Sequence, residues 1–147
     1  MNFKEELIKM GACQETIEWV GDKSFEEAWN TCHRGDWMLW FYAKKHPTHI
    51  AQLTLAAGHC ANTVRHLMKD PRSLAAVDAA IAFGEGRISL EELKVVAYAA
   101  YAAYAAAYAT AAASAASDAA SRAASASAAY VTNQLETANI CKRYLSV

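Results

Sequence analysis

Four cysteines and five histidines carry the side chains of this chain that could act as nucleophiles or metal ligands. His59 and Cys60 are adjacent, and His66 follows seven residues after His59, which on one helix sets both imidazoles on a single face. A zinc site built on that pair would need further ligands from Cys13, Cys32, His33 or a carboxylate, and the spacing matches no short metal motif. A Cys–His hydrolase would need an oxyanion-binding loop. The sequence offers no strand-to-helix elbow and no glycine-rich phosphate loop. No catalytic residue, no metal and no cofactor is expected.

The densest alternative is Cys32-His33-Arg34-Gly35-Asp36-Trp37-Met38-Leu39-Trp40. Its Arg-Gly-Asp tripeptide would serve adhesion only on an exposed extracellular loop. Here it joins two helices, and Asp36 is expected to cap the second. Trp29, Trp37 and Trp40 lie close together and are expected mainly in the core, with an aromatic edge left for a partner, where Trp and Arg are favoured anchors. Arg65, His66 and Arg72 sit near a helix junction as solvated polar residues that could form a small basic patch. Arg34, Trp37, Arg72, Tyr104 and Tyr108 are the candidate partner-binding residues.

These side chains need a scaffold, and its class is legible. Apolar residues at helical spacing, glycine stops and capping residues recur, while period-two alternation and Asn-Gly or Asp-Gly hairpin signals are missing. The chain is expected to be all-α, a single domain over 1–147 with about seven helices. Residues 1–88 form a Trp-rich front half, and 89–147 a long alanine-rich helix plus a closing helix. Gly11 should end the first helix. Ser24 to Glu27 and Ser89 to Glu92 read as capping boxes. Thr48 to Met68 reads as one long helix, and Asp70-Pro71 as a capped restart.

Ala97 to Tyr130 contains 21 alanines in 34 residues and neither glycine nor proline. Alanine loses no side-chain entropy in a helix, so the run should be helical nearly throughout. At about 100° per residue, Tyr98, Tyr101, Tyr104, Tyr108 and Tyr130 share one sector. Thr110, Ser114, Ser117, Ser121 and Ser125 share another, beside Asp118 and Arg122. A third sector is alanine, including Ala102, Ala109, Ala116 and Ala120, and would admit a second helix closely, as in a homodimer. Tyr98 and Tyr101 are expected to seal the core and Tyr108 to face out. Unbroken from Leu90 to Tyr144, the helix would run roughly 80 Å. That exceeds a compact domain, so the helix is expected to break, to extend beyond the globule or to pack along a second copy, with Ser125 to Thr132 the place for a break, where serines compete for backbone hydrogen bonds.

The formal net charge of -1 disfavours a nucleic-acid binder driven by a basic field, and equally an acidic DNA mimic. Asn2-Phe3-Lys4-Glu5-Glu6 starts a charged helix, not a signal peptide. Alanine, serine and tyrosine are too polar for a membrane span. A cytoplasmic protein with reduced, mostly buried thiols is expected.

Ala12-Cys13, Ile17-Glu18-Trp19-Val20, Glu27-Ala28-Trp29-Asn30, the segment from Arg34 to Trp40, Cys60 to Leu67, Arg72-Ser73 and Glu91-Glu92-Leu93 together form a recognisable pattern. It resembles the immunity proteins of bacterial polymorphic-toxin systems (immunity-protein-five-like), also met in phages. These join such a Trp-rich half to an Ala- and Tyr-rich helical tail, and the likeness runs from about Ala12 to Leu145. The resemblance implies a non-enzymatic inhibitor that blocks a toxin or effector by direct contact. The alternatives are a phage-encoded inhibitor of a host defence system, such as a nuclease complex or signalling enzyme, a metal-dependent or Cys/His hydrolase, and a structural dimer.

Overall fold

The computed structural model of this chain describes residues 1–111 and 132–147, with side chains for 1–100 and 132–147. Among these residues the regular structure is helical and no strand occurs. Helix α1, Phe3–Met10, opens on a complete capping box. The Glu5 amide donates to Asn2 Oδ1 at 2.9 Å, and the Asn2 amide donates to Glu5 Oε2 at 3.1 Å. Gly11 ends it at φ 82°, a left-handed conformation that glycine adopts without a Cβ penalty. Helices α2 (Gln14–Val20), α3 (Phe25–Thr31), α4 (Gly35–Lys45) and α5 (Ile50–Asn62) follow. After a 3-10 turn at Arg65–Leu67 come α6 (Pro71–Gly84) and α7 (Leu90–Ala111). An eighth helix, α8, covers 132–144.

Several starts and stops match the sequence reading, and others differ for local reasons. Ser89 and Glu92 form both halves of their box, at 2.7 and 3.2 Å. Asp70 accepts from the Arg72 amide at 2.8 Å with Pro71 at the first helical position. Ser24 accepts from the Glu27 amide at 3.1 Å, but Glu27 does not bond back, so only half of that box forms. Asp36 is not the cap of α4. The helix starts at Gly35, and the Asp36 carboxylate turns to Arg34. The helix expected over Thr48 to Met68 is shorter at both ends. It begins at Ile50 and closes at Asn62, because the Thr63 amide and hydroxyl both donate to Cys60 O, at 3.2 and 2.7 Å, tightening the last turn. His66 therefore leaves the helix that carries His59, and the shared imidazole face does not form.

Two adjoining buried clusters make the core. Leu7, Val20, Ala28 and Phe41 gather α1 to α4, with Phe3, Phe25, Trp29 and Trp40 packed around them. Cys32, Met38, Tyr42, Ala56, Cys60, Ala138, Cys141 and Leu145 join α3, α4 and α5 to α8. Trp19, Trp29, Trp37 and Trp40 are all partly buried against these clusters, so the tryptophans are chiefly core, as expected. Tyr42 is fully buried, and its hydroxyl donates to Gln52 Oε1 at 2.7 Å and meets His49 Nδ1 at 2.9 Å. A phenol can be buried this way because its polar tip keeps partners.

Helix α8 packs against the end of α3 and against α4 and α5. Ala138, Cys141 and Leu145 point inward at helical spacing. Asn133 donates to the Thr63 hydroxyl at 2.7 Å, and Lys142 donates to Cys32 O at 3.0 Å. At Gly35 a Cβ would lie 2.3 Å from Thr137 Oγ1 and 2.7 Å from the Thr137 carbonyl carbon, so only glycine lets α4 and α8 meet there.

Helices α5, α6 and α7 stack in sequence. Glycines let α5 and α6 approach: a Cβ at Gly58 would lie 3.0 Å from Ile81 Cγ1. A Cβ at Gly84 would come within 2.4 Å of Leu55 Cβ and 2.8 Å of its Cα. On α7, Leu93, Val96 and Ala100 are partly buried, whereas Tyr98 is 77% exposed. Tyr98 does not seal the core: α7 packs on α6 through a different face, and the tyrosine stands on the outer one. The side chains of Tyr101, Tyr104 and Tyr108 lie outside the described residues, as does the break expected between Ser125 and Thr132, except that Thr132 already belongs to α8. Among the described residues no helix is long and apolar enough to cross a membrane.

Candidate interaction sites

Arg34 stands in extended conformation before α4, which aims its side chain back toward α2. Its Nε and Nη2 donate to the two carboxylate oxygens of Asp36 at 2.9 and 2.7 Å, and its Nη1 donates to Glu15 Oε1 at 3.2 Å. The guanidinium also lies over the Trp37 ring, 4.5 Å from its centroid. Only 18% of this side chain remains exposed. The sequence-expected pair Arg34 and Trp37 is thus brought together, but the cation is engaged within the chain. It joins α2 to the start of α4, and the bidentate geometry makes it firmer than an ordinary surface pair. Burial pushes the Asp36 carboxyl up, and the Arg34 hydrogen bonds and charge outweigh that and hold it below the usual range.

Around this pair, Trp19 and Trp37 are 5.8 Å apart, and His33 packs edge-on to Trp19 at 5.7 Å. Lys23 lies 4.8 Å over the Trp19 ring and donates to Trp19 O at 2.6 Å. A surface groove of about 370 Å³ runs along the corner, lined among others by Cys13, Glu15, Asp36, Trp37 and Trp40. Cys13 is exposed there, and the Thr16 hydroxyl at 3.0 Å, helped by the Thr16 amide, pulls its thiol below the ordinary cysteine value. The other three cysteines are buried, in keeping with mostly buried thiols, and Cys13 is the exposed exception. The Cys-Gln-Glu-Thr spacing, an N-cap with a hydroxyl three residues on, was the available signal.

Arg72 is elsewhere, at the start of α6, with its guanidinium on the Asp70 carboxylate at 3.0 and 3.2 Å. Arg65 donates from Nη1 and Nη2 to the two carboxylate oxygens of Asp78. The two arginines of the expected basic patch are therefore each neutralised by their own carboxylate. Tyr104 and Tyr108 belong to α7, with side chains outside the described residues.

A second surface emerges that the sequence reading did not single out. Between α6 and the first turns of α7 lies a groove of about 540 Å³. Ala79, Ala82, Ile88, Val95 and Val96 line it, and Asp78, Arg87 and Glu92 edge it. Val95 is 71% exposed, and Tyr98 follows one turn later at 77%. The signal was present as Val95-Val96 beside the tyrosine row, but α7's packing face could not be known without α6.

Among the described residues no group of three or more His, Cys, Asp or Glu side chains is placed to hold a metal ion. No family model, no curated protein and no solved structure matches the chain.

Proposed function

We propose that this chain is a non-enzymatic binding protein of the immunity type, which blocks a toxin or effector in the cytoplasm by direct protein contact. The observation that carries this reading is the groove between α6 and α7. It has an apolar lining with charged side chains at its edge, and an exposed valine and tyrosine beside it. An apolar centre within a polar rim is the anatomy of a protein–protein interface. Tyrosine is a favoured anchor in one, since it brings large apolar area and a polar tip at low entropy cost. Tyr104 and Tyr108 share the sequence sector of Tyr98 and are proposed as partner-binding residues with it. Arg34 and Trp37 form a second, smaller contact. Arg72 takes part only if the partner displaces Asp70.

The test is capture from the native host on the immobilised full chain, with the retained partner identified by mass spectrometry. The captured toxin or effector is then co-expressed with the chain in a growth-rescue assay. Rescue by the wild-type chain that is lost in Val95→Asp/Tyr98→Ala supports the reading. Rescue undiminished in that variant removes α7 from the interface, and no retained toxin or effector removes the inhibitor reading itself.

A further inference from the structure

The seam between α5 and α8 carries a third surface, polar where the groove beside α7 is apolar. The two helices run antiparallel along it. Asn133 donates to the Thr63 hydroxyl at 2.7 Å, and one turn on, the Cys60 thiol meets Thr137 O at 3.7 Å. Further along α8 the Tyr144 ring lies flat on that of His59, with 4.4 Å between centroids and 6° between planes. A groove of about 410 Å³ follows this seam. Asn62, Glu136, Asn139 and Arg143 bring polar groups to it, beside Ile140 and the stacked rings.

Its charges set this groove apart. Arg34, Arg65, Arg72 and Arg87 each hold a carboxylate of their own chain. The side chains of Arg143 and Glu136 have no partner among the described residues, and neither do those of Asn62 and Asn139. Seven residues separate Glu136 from Arg143, which sets them on one face of α8 about 10 Å apart along its axis. A cation and an anion at that spacing select a ligand with the opposite charges at the same spacing. A peptide in polyproline II conformation supplies it. Side chains three residues apart then share a face, about 9 Å apart, whereas a flat strand offers about 7 or 13 Å on one face. The polyproline II backbone makes no internal hydrogen bonds, so its amides and carbonyls are open to the two asparagines, each of which both donates and accepts.

We propose that the α5–α8 groove docks an extended segment of a partner protein in polyproline II conformation. An acidic side chain of that segment pairs with Arg143, and a basic one three residues away pairs with Glu136. Asn62 and Asn139 bind its backbone, and Ile140 with the His59–Tyr144 stack takes its apolar side. The proposal goes beyond the α7 contact and takes from the proposed function only that the partner is a protein.

The experiment titrates the full chain into fluorescein-labelled peptides and follows their anisotropy. The probes are Pro-Lys-Pro-Pro-Glu-Pro and its reverse, Pro-Glu-Pro-Pro-Lys-Pro, because the spacing alone does not fix chain direction. At least one is expected to bind, more weakly as salt is added. Arg143→Ala should reduce the affinity about tenfold, the loss of one charge-assisted contact. In Arg143→Glu that probe is lost and Pro-Lys-Pro-Pro-Lys-Pro binds in its place, a gain that a damaged fold would not produce. Both charged positions are exposed, so the variants should keep the wild-type thermal midpoint. Binding of neither probe, equal binding of a peptide with Lys and Glu adjacent, or affinity unchanged in Arg143→Ala overturns the proposal. The peptide assay needs no toxin, so its failure leaves the capture experiment standing, and a failed capture leaves the groove standing.

Discussion

The α1–α4 core and the α5–α6–α7 layer hold helices together by opposite means. Among α1 to α4, Tyr42, Leu7, Met38 and Phe41 fill the space between helices with large side chains. In the layer, Gly58 and Gly84 leave almost no room for a side chain, and backbones come close enough that a Cβ at Gly84 would overlap Leu55. Large side chains remove much apolar area each. Small ones contribute little area and depend on continuous van der Waals contact along the helices. The first kind of packing should fail when atoms are removed, the second when atoms are added.

That contrast breaks most visibly at Tyr42. Tyr42→Ala should cost about 3–5 kcal/mol in urea unfolding, as for other large buried aromatics. A loss below about 1 kcal/mol would show that the front core collapses easily around the gap. Gly84→Leu should cost about 1–3 kcal/mol by overpacking. The same measurement on Gly84→Ala should show a smaller loss, and a neutral leucine would mean that α5 and α6 can slide apart freely. Tyr42→Phe sharpens the comparison, since it keeps the volume and deletes only the hydroxyl between Gln52 and His49. About 1 kcal/mol is expected.

The Arg34 corner supplies a weaker, pH-dependent effect. The Asp36 carboxyl is lowered in the folded chain, so its stabilisation is present above the ordinary aspartate range. It is lost as the pH falls through that range, near about 4, toward the folded value. Asp36→Asn should flatten this part of the acid unfolding curve by less than about 1 kcal/mol, because the carboxylate is nearly half exposed and screened by water. An unchanged acid limb would remove Asp36 from the account. The smallest effect is expected on α7. Val95→Ala and Tyr98→Ala should each move stability by no more than about 0.5 kcal/mol in thermal melts, while reducing partner capture.

The helical class, the glycine stop at Gly11, the Ser89 box and the Asp70-Pro71 start were legible because each rests on residues within one turn of each other. Asp36 was misread because a capping carboxylate and an ion-paired one look alike until Arg34 is placed. The early end of α5 depended on Thr63 turning its hydroxyl onto a carbonyl, a choice that neighbouring propensities do not dictate. Tyr98 was misassigned because the tyrosine row is a real helical face, but which face meets α6 is a tertiary matter. The groove beside Val95 and the contact of Cys60 with the Thr137 carbonyl depend on how separate helices pack, and no local spacing encodes them.

The position of α8 also has a consequence for the order in which the molecule is made. Cys60 reaches Thr137 across 77 positions, Cys141 reaches the Gly35 carbonyl across 106, and Lys142 reaches Cys32 across 110. Closing such distant pairs is slow, because the chain loses the freedom of the whole intervening loop before any contact repays it. During synthesis Tyr42 and Cys32 emerge long before the helix that covers them. Until residues 132–145 leave the ribosome, the thiol-lined side of the core faces water, and a nascent chain halted earlier would present that side to chaperones.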